Sequence, residues 1–296
     1  MSERASSIPT DASSFSRESG VEPPNDAKLL PHRPGRSARI VAIANQKGGV
    51  GKTTTTINLG TALAAAGKRV LILDLDPQGN ASTGLGLRQN EREVTSYNVL
   101  IGQATLQEAV RATSIPTLSV VPATVDLSAA EVELVGDRRR NYRLRDAFAH
   151  FDTDADYVLI DCPPSLGTLT VNALTCADAV LVPLQCEFFA LEGLSLLLRT
   201  IERVRRTLNP DLQMHGVVLT MFDRRNNLSE QVAADVRSFL GDRVYKTVIP
   251  RNVRVSEAPS HGQPVLLYDI KSKGALAYAH LAGELLRREQ LLARVA

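Results

Sequence analysis

Between an apolar run, ARIVAIAN, and a helical pattern, INLGTALAAAG, the chain reads KGGVGKTTTT over 47–56. Gly48, Gly49 and Gly51 have no Cβ, so the backbone on either side of Val50 can turn its N–H groups inward. The helix that opens near Lys52 adds its N-terminal dipole, and together these features make a nest for a chain of phosphates. The spacing fits the phosphate-loop pattern G-x-x-x-x-G-K-S/T with one departure: position 46, where the first glycine usually stands, is Gln46. Lys52 is then the cation for the β and γ phosphates, and the Thr53 hydroxyl is a ligand for Mg²⁺. Thr54 completes the cofactor-binding candidates on this loop.

Two other apolar runs end in carboxylates. LILDLDPQGN sets Asp74 and Asp76 at the C-terminal end of a strand, where open α/β sheets hold their ligands. Alternation along that strand points both to one side, and only the acid clear of the strand end reaches into the crevice. YVLIDCPPS ends in Asp161, which is placed to hold Mg²⁺ through a water. Cys162, next along, reads as packing.

The elements that must position these groups alternate in type. RVLILDLD (69–76), LSVVPA (118–123), YVLID (157–161), AVLVPL (179–184), HGVVLTMF (215–222) and VYKTVIP (244–250) read as strands, with helical patterns between most of them. Continuous apolar strands separated by helices predict an α/β fold, a mostly parallel β-sheet covered by helices on both faces, as one domain over 37–296. The 296 residues, 44% hydrophobic, suffice for such a core and exclude a fibrous protein. Residues 1–36 hold seven Ser and five Pro with one aromatic, and are expected to be a disordered tail. Cys162, Cys176 and Cys186 lack the spacing of a disulfide framework or zinc site, which suits a reducing cytoplasm. No run approaches a membrane span, and the N-terminus lacks the pattern of a signal peptide.

With a second lysine, Lys47, at its start, KGGVGKT resembles the deviant Walker A loop of the ParA/MinD ATPases, a group of P-loop NTPases. The resemblance spans about 38–288 and implies ATP and Mg²⁺ as cofactors and a homodimer that sandwiches two nucleotides. It implies that Lys47 crosses to the partner's phosphates, and that Asp76, which orients or activates the attacking water, belongs to the metal site with Thr53 and Asp161. The PPSLG segment (163–167) resembles the switch region of that family. TVIPRNVRVSEAPSHGQPV (247–265) is similar to the ParA/Soj chromosome-partitioning branch, in which a Pro-Arg-Asn turn lies against adenine, so Pro250, Arg251 and Asn252 are base-binding candidates. That branch implies hydrolysis stimulated by a ParB-like centromere-binding partner.

The net charge of +2 conceals an asymmetry. From Arg199 to Ala296 there are 16 Lys and Arg against 10 Asp and Glu, a local +6, which leaves −4 on the rest. The likeness to the Soj-like branch marks Arg225, in MFDRRNNLS, for DNA, and Arg254, Lys271 and Lys273 join it as candidates. With no base-reading motif, binding is expected through phosphates of double-stranded DNA, without sequence preference and with steep salt dependence. The expected setting is cytoplasmic and nucleoid-associated. Two alternatives stand beside this: a MinD-like membrane-cycling regulator and an ATP-liganded transcriptional repressor. The C-terminal AYAHLAGELLRREQLLARVA puts Leu281, Leu285 and Leu292 roughly on one face, but it carries Glu284 and Glu289 and no Phe or Trp. A helix packed on the domain is therefore expected, with no stable membrane association.

Overall fold

Leu, Ile and Val fill both faces of the central strands, so every side chain finds a partner only if helices cover the sheet on both sides. The computed structural model describes residues 38–295, with side chains through Leu291, and the tail expected over 1–36 lies outside them. The strands are β1 (Arg39–Ile43), β2 (Val70–Asp74), β3 (Arg111–Ala112), β4 (Leu118–Val121), β5 (Tyr157–Asp161), β6 (Ala179–Gln185), β7 (Gln213–Phe222) and β8 (Val244–Pro250). They form one sheet in the order β3-β4-β2-β5-β1-β6-β7-β8. All neighbours run parallel except β3, which pairs antiparallel with β4. The two residues of β3 are too few to carry a periodicity, and this strand alone escapes the sequence pattern.

The longer helices are α1 (Lys52–Ala65), α2 (Thr168–Cys176), α3 (Ala190–Thr207), α4 (Asn227–Leu240) and α5 (Lys273–Val295). Strand alternation divides the core in two. Ile40 and Ala42 of β1 join Leu169 of α2, Leu197 of α3 and Val236 of α4 on one face. Val41 and Ile43 join Leu59 of α1 and Leu281 and Leu285 of α5 on the other. Leu281 and Leu285 of the C-terminal apolar stripe are thus committed to the core, both being fully buried, while the side chain of Leu292 lies outside the described residues. Among the described residues no helix is long and apolar enough to cross a membrane.

Two local devices secure the β7–β8 side. Val180 pairs with Met214 and Leu181 with Gly216, so His215 is an extra residue in β7. Gly216 sits at φ +154°, and a Cβ there would lie 2.5 Å from the Arg243 carbonyl oxygen. The bulge turns His215 into a buried network: one ring nitrogen lies 2.6 Å from the Tyr245 hydroxyl and the other 3.0 Å from Glu289, which also accepts from Arg39. β8 is an edge strand, and the Glu284 carboxylate of α5 accepts from the backbone N–H groups of Lys246 and Thr247, each at 2.9 Å. Those N–H groups are thereby withheld from stray strand pairing.

From β1 the sheet builds outward in both directions, through β5 to β2 on one side and through β6 to β7 and β8 on the other. The C-terminal ends of these strands at such a switch point are where an α/β sheet opens a crevice.

Candidate nucleotide site and an adjoining basic groove

The loop after β1 runs straight into α1. Gly49 and Gly51 take left-handed φ values of +74° and +86°, and Gly51 has no side chain with which to cap the helix. The N–H groups of the first turn of α1 are therefore available to an anion. The loop's start is pinned from behind. The Asn45 amide donates to the Pro183 carbonyl at 2.8 Å while its oxygen accepts from the Lys47 N–H at 3.0 Å, and Gln46 donates to the Gly193 carbonyl at 3.2 Å. The residue that breaks the usual glycine pattern is thus a tether to α3.

The two lysines of the loop occupy different environments. Lys52 is 6% exposed, and its ammonium donates to the Lys47 carbonyl at 3.1 Å. Burial draws its pKa below the usual lysine range, against the raising influence of the charges on Asp161 and Asp76. Lys47 stands half in solvent, its Nζ donating to Glu187 Oε2 at 2.5 Å.

Asp74 and Asp161 are register neighbours on β2 and β5. Asp161 is fully buried; Oδ1 accepts from the Thr56 hydroxyl at 3.1 Å, and Oδ2 has no hydrogen-bond partner among the described residues. Burial pushes its carboxyl well above the usual range, the charge of Asp74 adds to this, and the hydroxyls of Thr53 and Thr56 oppose it. An orphaned carboxylate oxygen beside Thr53 and a phosphate-type loop fits a hard divalent cation. Asp74 has a different task. Its Oδ2 accepts from the Ser82 N–H at 2.8 Å and the Ser82 hydroxyl at 2.6 Å, and Oδ1 accepts from the Asp76 N–H at 3.3 Å. Burial raises its pKa to about 6.

β2 ends at Asp74, so strand alternation does not orient Asp76 as the sequence suggested. The turn does so instead: Asp76 is anchored by its backbone to Asp74 and by Oδ1 to the Gln78 N–H at 3.0 Å. Cys162 is fully buried, and burial pushes its thiol well up, in keeping with a packing role.

The Pro-Arg-Asn turn follows β8. Pro250 pairs with Phe222, and the Arg251 N–H donates to the Phe222 carbonyl at 3.2 Å. The Asn252 side-chain oxygen accepts from the Val255 N–H at 3.3 Å, which caps the short helix Val253–Glu257. Alongside β8, between α5 and the end of α4, lies a groove of ≈ 2070 Å³ that includes Pro250 and Arg251. Among the described residues, nine Lys and Arg line it against three acids, Asp223, Asp242 and Glu284.

Of the four DNA candidates, the groove brings together Arg225 and Lys273; Arg254 and Lys271 lie outside it. Arg254 is instead paired with Glu257 at 3.0 Å and Asp269 at 3.4 Å. Arg225 is almost fully exposed, its guanidinium on Asp223 at 2.9 and 3.0 Å, and those hydrogen bonds pull Asp223 down to about 2. Lys246 and Arg287 are groove residues that sequence reasoning missed, because separate elements supply them. Glu187 was missed as well: its partner is 140 positions away.

An open α/β sheet with a phosphate-type loop at its switch point and acids on adjacent strand ends defines a P-loop nucleotide-binding protein. A family described as an AAA domain matches residues 38–214. The chromosome partitioning protein ParA of Caulobacter vibrioides is 65% identical over 254 residues, 85% of this chain and 95% of that one. The sporulation initiation inhibitor protein Soj of Bacillus subtilis is 54% identical over 83% of this chain and 97% of its own. Among solved structures, a Mycobacterium smegmatis protein described as cobyrinic acid a,c-diamide synthase, with bound ADP and magnesium, is 42% identical. It has a TM-score of 0.75 and covers 86% of this chain and 96% of its own. The septum site-determining protein MinD of Pyrococcus horikoshii, complexed with Mg-ADP, is 27% identical with a TM-score of 0.69, over 84% and 96% of the two chains. The chain belongs to the ParA/Soj family of chromosome-partitioning ATPases.

Proposed function

We propose that the protein is an ATP-driven DNA-partitioning ATPase that binds ATP and Mg²⁺, dimerises face to face, and holds DNA nonspecifically until hydrolysis releases it. The observation that carries this reading is the contrast between two lysines of one loop: Lys52 is buried at the site and Lys47 is half exposed beside it. Lys52 neutralises the phosphates from within. Thr53 and Asp161 would hold Mg²⁺, which supplies positive charge against the β and γ phosphates when bound. Asp76, fixed by the turn, orients the attacking water. Gly48, Gly49, Val50, Gly51 and Thr54 complete the phosphate contacts, and the adenine lies by the Pro250–Asn252 turn. The Asn252 side-chain oxygen already caps a helix, so its amide NH₂, together with the backbone and Arg251, is what the turn offers the base.

Lys47 acts on the nucleotide of the partner subunit. To do so it must leave Glu187, and an ion pair this exposed is worth only about 0.2–1 kcal/mol. A phosphate chain shielded from water offers a stronger attraction. The basic groove supplies the DNA contact: it presents charge without a base-reading helix, and dimerisation doubles the surface. ATP-dependent DNA binding would associate the protein with the nucleoid, and a ParB-like partner would stimulate hydrolysis and release.

Sedimentation with ATP tests the dimer. Wild type is expected to sediment as a dimer with ATP and as a monomer with ADP, and Lys47→Ala to remain monomeric while calorimetry still detects bound ATP. An ATP-dependent dimer of Lys47→Ala would remove Lys47 from the interface.

A further inference from the structure

We infer that Thr220 is a positioning residue: it sets the phosphate loop in its binding conformation and links that loop to the basic groove. The second role rests on the DNA reading of the groove, whereas the first stands on geometry alone. Thr220 is 2% exposed near the end of β7, and its hydroxyl donates to the Val50 carbonyl at 2.8 Å across 170 positions of sequence. That carbonyl shares a peptide plane with the N–H of Gly51. In a trans peptide the two groups point in opposite directions, so fixing the carbonyl on Thr220 aims the Gly51 N–H away from β7. Gly51 leads directly into α1, and the hydroxyl of Thr220 thereby orients a donor at the mouth of the nest. Without that bond the Val50–Gly51 peptide is free to flip, because two of the loop's glycines tolerate either sign of φ.

The next residue carries the link onward. Met221 holds φ +49°, a conformation uncommon for a residue with a Cβ, and its side chain approaches Gly51, where an added Cβ would meet Met221 Cε at 3.7 Å. Phe222 then gives its carbonyl to the Arg251 N–H, and Asp223 fixes Arg225. Six consecutive residues, 220–225, therefore run from a hydrogen bond on the phosphate loop to two arginines of the groove. A left-handed residue between two such anchors has few alternative conformations, so a shift of the Val50–Gly51 peptide on phosphate binding is passed to 222–225.

The test uses the full chain with Thr220→Val, which keeps the shape and removes the donor, and Thr220→Ser, which keeps the donor. Calorimetry with ATP and Mg²⁺ should show about tenfold weaker binding for the valine variant, the size of one lost hydrogen bond to an otherwise unpaired carbonyl, and affinity within about threefold of wild type for the serine variant. Hydrogen exchange over 221–226 should respond to ATP in wild type and Thr220→Ser, and not in Thr220→Val at saturating ATP. If both variants weaken equally, Thr220 is a packing residue and the inference fails. It fails too if Thr220→Val matches wild type in affinity and exchange, or if ATP leaves 221–226 of wild type unchanged. Neither readout involves DNA, so a wild type that binds no DNA would overturn the partitioning reading and leave the positioning role standing.

Discussion

Lys47 and Lys52 leave the same loop under opposite conditions, and the difference predicts opposite phenotypes. Lys52 already bears a desolvation cost, which only a bound anion can offset well. Lys52→Ala should therefore weaken ATP binding by about 100-fold or more, ~3 kcal/mol, as for the loss of one partner from a buried pair. Calorimetry showing an unchanged affinity would contradict this. Lys52, Thr53 and Asp161 were legible in the sequence because strand, glycine spacing and a terminal acid define their surroundings locally. Glu187 and Thr220 were not, since each acts on the loop from more than a hundred residues away. Asp74 was legible as a site residue but not in its role. Both its oxygens are taken by Ser82 and by the backbone of Asp76, and only the folded turn reveals that.

At the scale of elements, the exposed flank of β8 depends on one carboxylate. Burial alone would raise the pKa of Glu284, but the N–H groups of Lys246 and Thr247 and the charge of Arg288 hold it below the usual glutamate range. A carboxyl depressed in the folded state contributes stability that is present above its unfolded pKa near 4.5 and is lost as pH falls through the lower folded value. Glu284→Gln, which keeps one acceptor oxygen, should cost about 1–2 kcal/mol at neutral pH. The gap between the two proteins in thermal unfolding should narrow as pH falls below 4.5. A gap of constant size across that range would show that the carboxylate charge is not what secures the strand. The strands themselves were readable because burial on both faces leaves unbroken apolar runs; the bulge at His215 was not, since it is defined by pairing with β6.

For the whole molecule, the near-neutral total charge and the +6 of the C-terminal third are reconciled by where the basic residues gather. Sequence alone could count them, yet it could not see that Arg225, Lys246, Arg251, Lys273 and Arg287 line one groove while Arg254 is occupied by two acids. In the proposed function, ATP, through dimerisation, converts this groove into a DNA-binding surface. The most direct measurement is the affinity for a random-sequence DNA duplex with ATP, with ADP and without nucleotide, each at about 50 and about 200 mM salt. Tight binding is expected with ATP alone, indifferent to sequence and weakened about a thousandfold by the added salt. Equal affinity in all three nucleotide states, or binding that salt does not weaken, would contradict it.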